Sequence, residues 1–188
     1  MNDPDFQSRV LSSIGQTNGP RPAGRHAVLW QQASHLYWRT YCWGRLLHLW
    51  SLLSRRPRRL LDLNHLCCPA CHQFYAGLQT VPVARILGSE GRLRDFDWAF
   101  RPLSLRSRER WLRIALATLQ GTPVPPVQLI QVGGVYFVRD GHHRISVARA
   151  WGQDFIDAEV TVWEGARGPL AVSLPFPAAA HPAAVAEL

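Results

Sequence analysis

Val135-Tyr136-Phe137-Val138-Arg139-Asp140-Gly141-His142-His143-Arg144 reads as a buried strand that turns at a glycine into a helix opening with two histidines and an arginine. Gly141 supplies the sharp turn and lets the backbone approach a ligand, while the first N–H groups of a helix lack internal partners and point outward. The macrodipole adds positive potential at that end, and Arg144 brings a planar fork matched to phosphate oxygens. The same residues also fit a plain strand-to-helix turn, with Asp140 as N-cap and the histidines at the surface.

The flanks place this turn inside a folded unit. Upstream, Pro125-Pro126 precede an apolar run from Val127 to Val132, and Gly133-Gly134 then signal a short hairpin into the Tyr136 strand. Downstream, a helix of about ten residues stops at Gly152, and Ile156 to Trp163 read as a closing strand. Further upstream lie a short strand at Val81 to Val83, a polar loop through Gly88-Ser89-Glu90-Gly91, and a helix over about residues 106 to 120. Trp111, Ile114, Ala115 and Leu119 form the apolar face of that helix, and Gly121 is a suitable stop. Strands interspersed with helices at this spacing predict a small α+β domain with a mixed sheet.

This order of elements resembles the core of the ParB/sulfiredoxin superfamily. In ParB N-terminal domains a Q-P-I strand, a short hairpin, a strand with Tyr, a G-E-R-R box and a helix ending at Gly follow one another. Val81-Pro82-Val83, Ile86, Arg92, Phe96 and Asp97 look like the family's first box, so the resemblance covers residues 81 to 163. Gly141 and Arg144 match the first and last positions of the phosphate-contacting box, and Arg92 matches an arginine near the bound nucleotide. His142 and His143 depart from the Glu and Arg of CTP-binding members, and His142 stands where sulfiredoxins carry their catalytic Cys. The D-G-H-H-R stretch is similar to the D-G-H-x-R form of the superfamily's nucleotide-dependent free-serine kinases.

The resemblance implies a nucleotide (ATP, ADP or CTP), with magnesium as a candidate ion, bound through Gly141, His143, Arg144 and Arg92. His142, Glu90 and Asp140 are the candidate catalytic residues, because an imidazole or a carboxylate at the phosphates can move a proton or hold a metal. Two functions stay open. One is a nucleotide-responsive module that associates with nucleic acid or a partner; the other is a phosphotransferase or nucleotide hydrolase acting on a small molecule. A fold can host unrelated activities, so the site must decide.

Charge is uneven along the chain. All 21 basic residues are Arg, and the formal net charge is +8. Residues 1–80 hold nine Arg against three acidic residues, and Arg55, Arg56, Arg58 and Arg59 follow directly on a predicted helix over about residues 27 to 54. That cluster is the candidate nucleic-acid contact, since Arg suits bidentate phosphate recognition. The helix is predicted to be amphipathic, burying Leu29, Ala33, Leu36, Trp43, Leu47 and Trp50, with Gly44 weakening its interior. Arg39 and Arg45 make it a poor membrane span, leaving packing on the core or a partner, an anionic membrane, or nucleic acid as its role.

Residues 1–25 are read as a disordered N-terminus, 26–80 as a basic helical extension, 81–164 as the ParB/sulfiredoxin-like domain, and 165–188 as an Ala/Pro-rich flexible tail. That tail is short for the further DNA-binding and dimerisation parts of a partition protein. The N-terminus shows no basic-then-apolar export pattern, so a cytoplasmic chain is expected. Cys67-Cys68-Pro69-Ala70-Cys71-His72 contains a C-x-x-C-H pattern, and His65, Cys68, Cys71 and His72 could make a tetrahedral zinc site. Without an export pattern or a second separated pair, the expectation is reduced structural cysteines, Cys42 buried in its helix, and no metal.

Overall fold

The computed structural model describes residues 23–54, 59–65 and 72–164. Expectations for Arg55, Arg56, Arg58, Cys67, Cys68, Cys71, residues 1–22 and the tail from 165 lie outside the described residues, whereas residues 23–25 of the expected disordered N-terminus are helical; Arg59, His65 and His72 are described and exposed.

The chain is α+β, as its sequence predicts. Helix α1 (Ala23–Leu53) is followed by β1 (Leu61–Asp62), β2 (His72–Pro82), β3 (Ile86–Ser89), α2 (Arg108–Leu119), β4 (Val127–Val132), β5 (Val135–Asp140), α3 (His142–Trp151) and β6 (Phe155–Glu164). The strands form one sheet in the order β1-β3-β5-β4-β6-β2. It is mixed: β1, β3 and β5 run parallel, as do β4 and β6, whereas β4–β5 and β2–β6 are antiparallel.

Side-chain alternation in β4 and β5 sorts the core into two faces. Leu129, Tyr136 and Val138 join Val81, Ile86, Val160 and Ile145 of α3 on one side of the sheet. Ile130, Val132 and Phe137 meet Leu63 on the other. A third cluster joins the helices, with Ala33 and Tyr37 of α1 against Trp111, Leu112, Ala115 and Leu116 of α2 and Val147 of α3. Trp111 Nε1 donates to the buried Ser146 Oγ at 2.9 Å, pinning α2 to α3.

Several expectations change. The segment from 26 to 80 is not helical throughout, because β1 and β2 come from it; β2 pairs with the whole length of β6. Gly88 and Ser89 are not in a polar loop but buried in β3, which runs parallel to β5. Only glycine fits at 88, since a Cβ there would lie 2.4 Å from the Phe137 ring and 2.5 Å from the Leu61 carbonyl oxygen. The α2 face differs in detail: Trp111 and Ala115 are buried as expected, Leu112 and Leu116 join them, and Ile114 and Leu119 are only partly covered.

Helix α1 is turned relative to its predicted orientation. Its buried stripe is Ala33, Tyr37, Gly44 and Ser51, and Trp43, Trp50 and Cys42 are exposed. The cause is fit rather than polarity. Tyr37 meets Trp111 edge-on at 5.4 Å, and Gly44 lets the helix axis come close to the chain at Arg101 and Pro102, where a Cβ would sit 3.0 Å from Arg101 Cβ.

Candidate functional site

The β5–α3 turn is built as its sequence requires. Gly141 takes a left-handed φ of 99°, and a Cβ there would lie 2.6 Å from Val127 Cγ1, so both the conformation and the packing exclude a side chain. No side chain caps α3. Asp140, the expected N-cap, instead pairs with Arg144, its Oδ2 accepting from Nη2 at 2.5 Å. The first N–H groups of α3 therefore face a shallow cleft without a capping carboxylate.

Residues from three places line this cleft: Asp140, Gly141, His142, His143 and Arg144 at the turn, Arg92 after β3, and Arg110 with Ile114 from α2. Sequence reasoning missed Arg110. It sits one turn before Ile114 on α2, and only the docking of α2 onto α3 through Trp111 and Ser146 brings it here.

The two histidines are buried, at 4% and 5% exposure, rather than displayed at the surface. Phe96 stacks on His142 at 5.9 Å and meets His143 edge-on at 5.2 Å, while Phe100 lies 6.4 Å from His142. Burial among these rings lowers both pKa values to about 4, assisted by Arg92 at His142 and by Arg110 and then Arg92 at His143. Both imidazoles are neutral at pH 7.

Their ring nitrogens differ in one respect. His142 Nε2 lies 2.6 Å from Ser89 Oγ. That hydroxyl donates to the Gly91 carbonyl and accepts from the Gly91 N–H, so the Ser89–His142 contact ties the Gly91-Arg92 turn to the start of α3. His143 Nε2, by contrast, is buried with no hydrogen-bond partner. An imidazole nitrogen in that condition is costly unless something else satisfies it.

The other candidate residues are placed as follows. Arg144 is only 15% exposed and donates from Nη1 to the carbonyls of Pro125 and Pro126 at 2.7 and 2.6 Å, so it holds the β4 approach as well as lining the cleft. Arg92 adopts a positive φ of 53°, uncommon for a side-chain-bearing residue, and its guanidinium makes only a loose 3.8 Å pair with Asp95. Glu90 is engaged by Arg139, whose Nε and Nη2 donate to its two oxygens at 2.9 and 3.3 Å, and it does not line the cleft. Asp97 is buried and makes a turn, accepting from the N–H groups of Ala99 and Arg101. Among the described residues no group of three or more His, Cys, Asp or Glu is placed to hold a metal ion.

The crystal structure of sulfiredoxin from Arabidopsis thaliana is similar to this chain. The match has 17% identity and a TM-score of 0.34, covering 44% of this chain and 82% of that one. No family model and no curated protein matches.

Proposed function

We propose that this chain is a phosphate-recognising module that takes the phosphate groups of a nucleotide (ATP, ADP or CTP) at the N-terminus of α3. The observation that carries this reading is His143, whose buried Nε2 has no hydrogen-bond partner and which lines a cleft together with an uncapped helix terminus, Arg92, Arg110 and Arg144. A neutral imidazole can donate one hydrogen bond to an anionic oxygen, and the helix terminus and arginines supply charge around it. Donors converging from α2, α3 and the turn after β3 suit the three terminal oxygens of a phosphate better than the two of a carboxylate. The cleft is shallow, so the phosphates would occupy it while the rest of the nucleotide lies outside. The ordering of Arg92, Gly141 and Arg144, similar to ParB-type nucleotide sites, supports the same reading. In that light the module is nucleotide-responsive, with nucleic acid or a protein as the partner whose association it would control.

The enzymatic alternative, a phosphotransferase or nucleotide hydrolase, has less support. Each of the three expected catalytic residues is engaged: His142 by Ser89, Glu90 by Arg139 and Asp140 by Arg144. Thermal stabilisation by phosphate, pyrophosphate, ATP, ADP, CTP and GTP, with and without magnesium, tests the proposal. Arg110→Ala and Arg92→Ala should each remove a charge-assisted contact worth about 1.5–3 kcal/mol, which is about one to two decades in affinity. Parent-level binding by both variants would sink the assignment. Steady phosphate release from a nucleotide by the unmodified chain would instead favour the enzyme.

A further inference from the structure

Helix α1 presents an apolar stripe to solvent. Trp43, Leu46, Trp50 and Leu53 follow at three- and four-residue steps, with Leu49 beside them, and all point away from the buried face that carries Tyr37, Gly44 and Ser51. Trp43 is 55% exposed, Trp50 63% and Leu53 80%. Scattered exposed apolar residues are ordinary; a continuous stripe of five with two indoles marks a contact surface.

Charge selects the occupant. The 31 residues of α1 include no Asp or Glu, whereas Arg39 stands at the start of the stripe, Arg45 on its flank, and Arg55, Arg56, Arg58 and Arg59 follow in the chain. A second copy docked on this stripe would set arginines against arginines with no acid on either helix to offset them. Nucleic acid offers phosphates but no apolar slab to receive Leu46, Leu49 and Leu53. An anionic bilayer offers both, with an acyl boundary for the leucines, a headgroup zone for indole N–H groups, and negative charge for the guanidiniums. The helix would lie on the surface, since no described helix is long and apolar enough to cross a membrane.

We propose that the outward face of α1 docks on the surface of an anionic phospholipid bilayer, with Trp43 and Trp50 inserted at the headgroup level. The test is flotation of the full chain with vesicles of phosphatidylcholine alone or mixed with phosphatidylserine, together with quenching of Trp fluorescence by brominated acyl chains. The chain should float only with the anionic vesicles, be quenched, and be released by salt. Joint replacement Trp43→Ser and Trp50→Ser should lower the partition coefficient at least about tenfold and abolish the quenching. Arg39→Gln with Arg45→Gln should weaken binding to anionic vesicles without unfolding the helix. Because Leu46 and Leu53 are also exposed, Leu46→Glu with Leu53→Glu provides a second pair, and unchanged thermal melting of each variant shows that the fold survives. The proposal is overturned if the parent does not float with anionic vesicles at low salt, or if both apolar variants bind as the parent does. It is equally overturned if the substitutions abolish self-association or nucleic-acid binding instead.

Discussion

His142 and His143 share one physical state and differ in one bond. Both are neutral because rings bury them, and with pKa values near 4 against an ordinary 6.5 the unfolded chain binds more protons than the native one between those values. Stability contributed by keeping them neutral is therefore complete above pH 6.5 and is lost as pH falls toward 4, by up to about 3 kcal/mol per histidine. Urea melts at pH 7.5 and 5 should show this fall, and His143→Gln should remove part of it. Bound phosphate should also reduce the fall, because an anion beside His143 favours its protonated form. Equal pH dependence in parent and variant would show that His143 does not titrate as its burial requires. Gly141 makes a steric prediction: Gly141→Ala, with φ at 99° and Val127 at 2.6 Å, should destabilise by at least about 2 kcal/mol in thermal or urea melts.

At the scale of elements, the cleft depends on α2 holding its place. Ser146→Ala would leave the buried Trp111 N–H without its acceptor, at a cost of about 1–3 kcal/mol, and would loosen the helix that carries Arg110. Phosphate affinity should then fall although no lining residue has changed, and Ser146→Thr, which keeps the hydroxyl, should restore part of it in titration calorimetry. The same dependence explains what was legible in the sequence. The β4–β5 hairpin and α3 announce themselves through local chemistry, Gly133-Gly134 at one end and Gly152, with φ of 73°, at the other. Arg110 carries no local signal, because its neighbour in space is chosen by the packing of two helices. Strand β3 was hidden for a related reason: its glycine and serine read as loop residues, and only Phe137 above Gly88 and His142 beside Ser89 show why a parallel strand wants them there. The orientation of α1 could not be read from periodicity, since leucine lies on both its faces, Leu29 and Leu36 toward the helix cluster and Leu46 and Leu49 toward solvent, and fit to Trp111 made the choice.

At the scale of the whole molecule, the two halves distinguished by charge and by family-like pattern are joined by one sheet and one helix cluster. Strand β2 begins at His72 and pairs with β6 to its last residue, so a boundary drawn at Val81 cuts through a strand. A chain starting at Val81 would leave β6 with an unpaired edge along almost its whole length and would uncover the Trp111-Leu112-Ala115-Leu116 face that Ala33 and Tyr37 now bury. An exposed edge and an exposed aromatic face both favour association over folding. A chain starting at Leu60 keeps the sheet but still lacks α1, so only the helix cluster is opened. The expected order of thermal stability is the full chain first, the chain from Leu60 well below it, and the chain from Val81 without a cooperative transition. Phosphate binding should follow the same order, because Arg110 is held in place through the cluster that α1 covers. If the chain from Val81 melts cooperatively and binds phosphate like the full chain, then the family-like core folds alone, and β2 and α1 are additions to a site that does not need them.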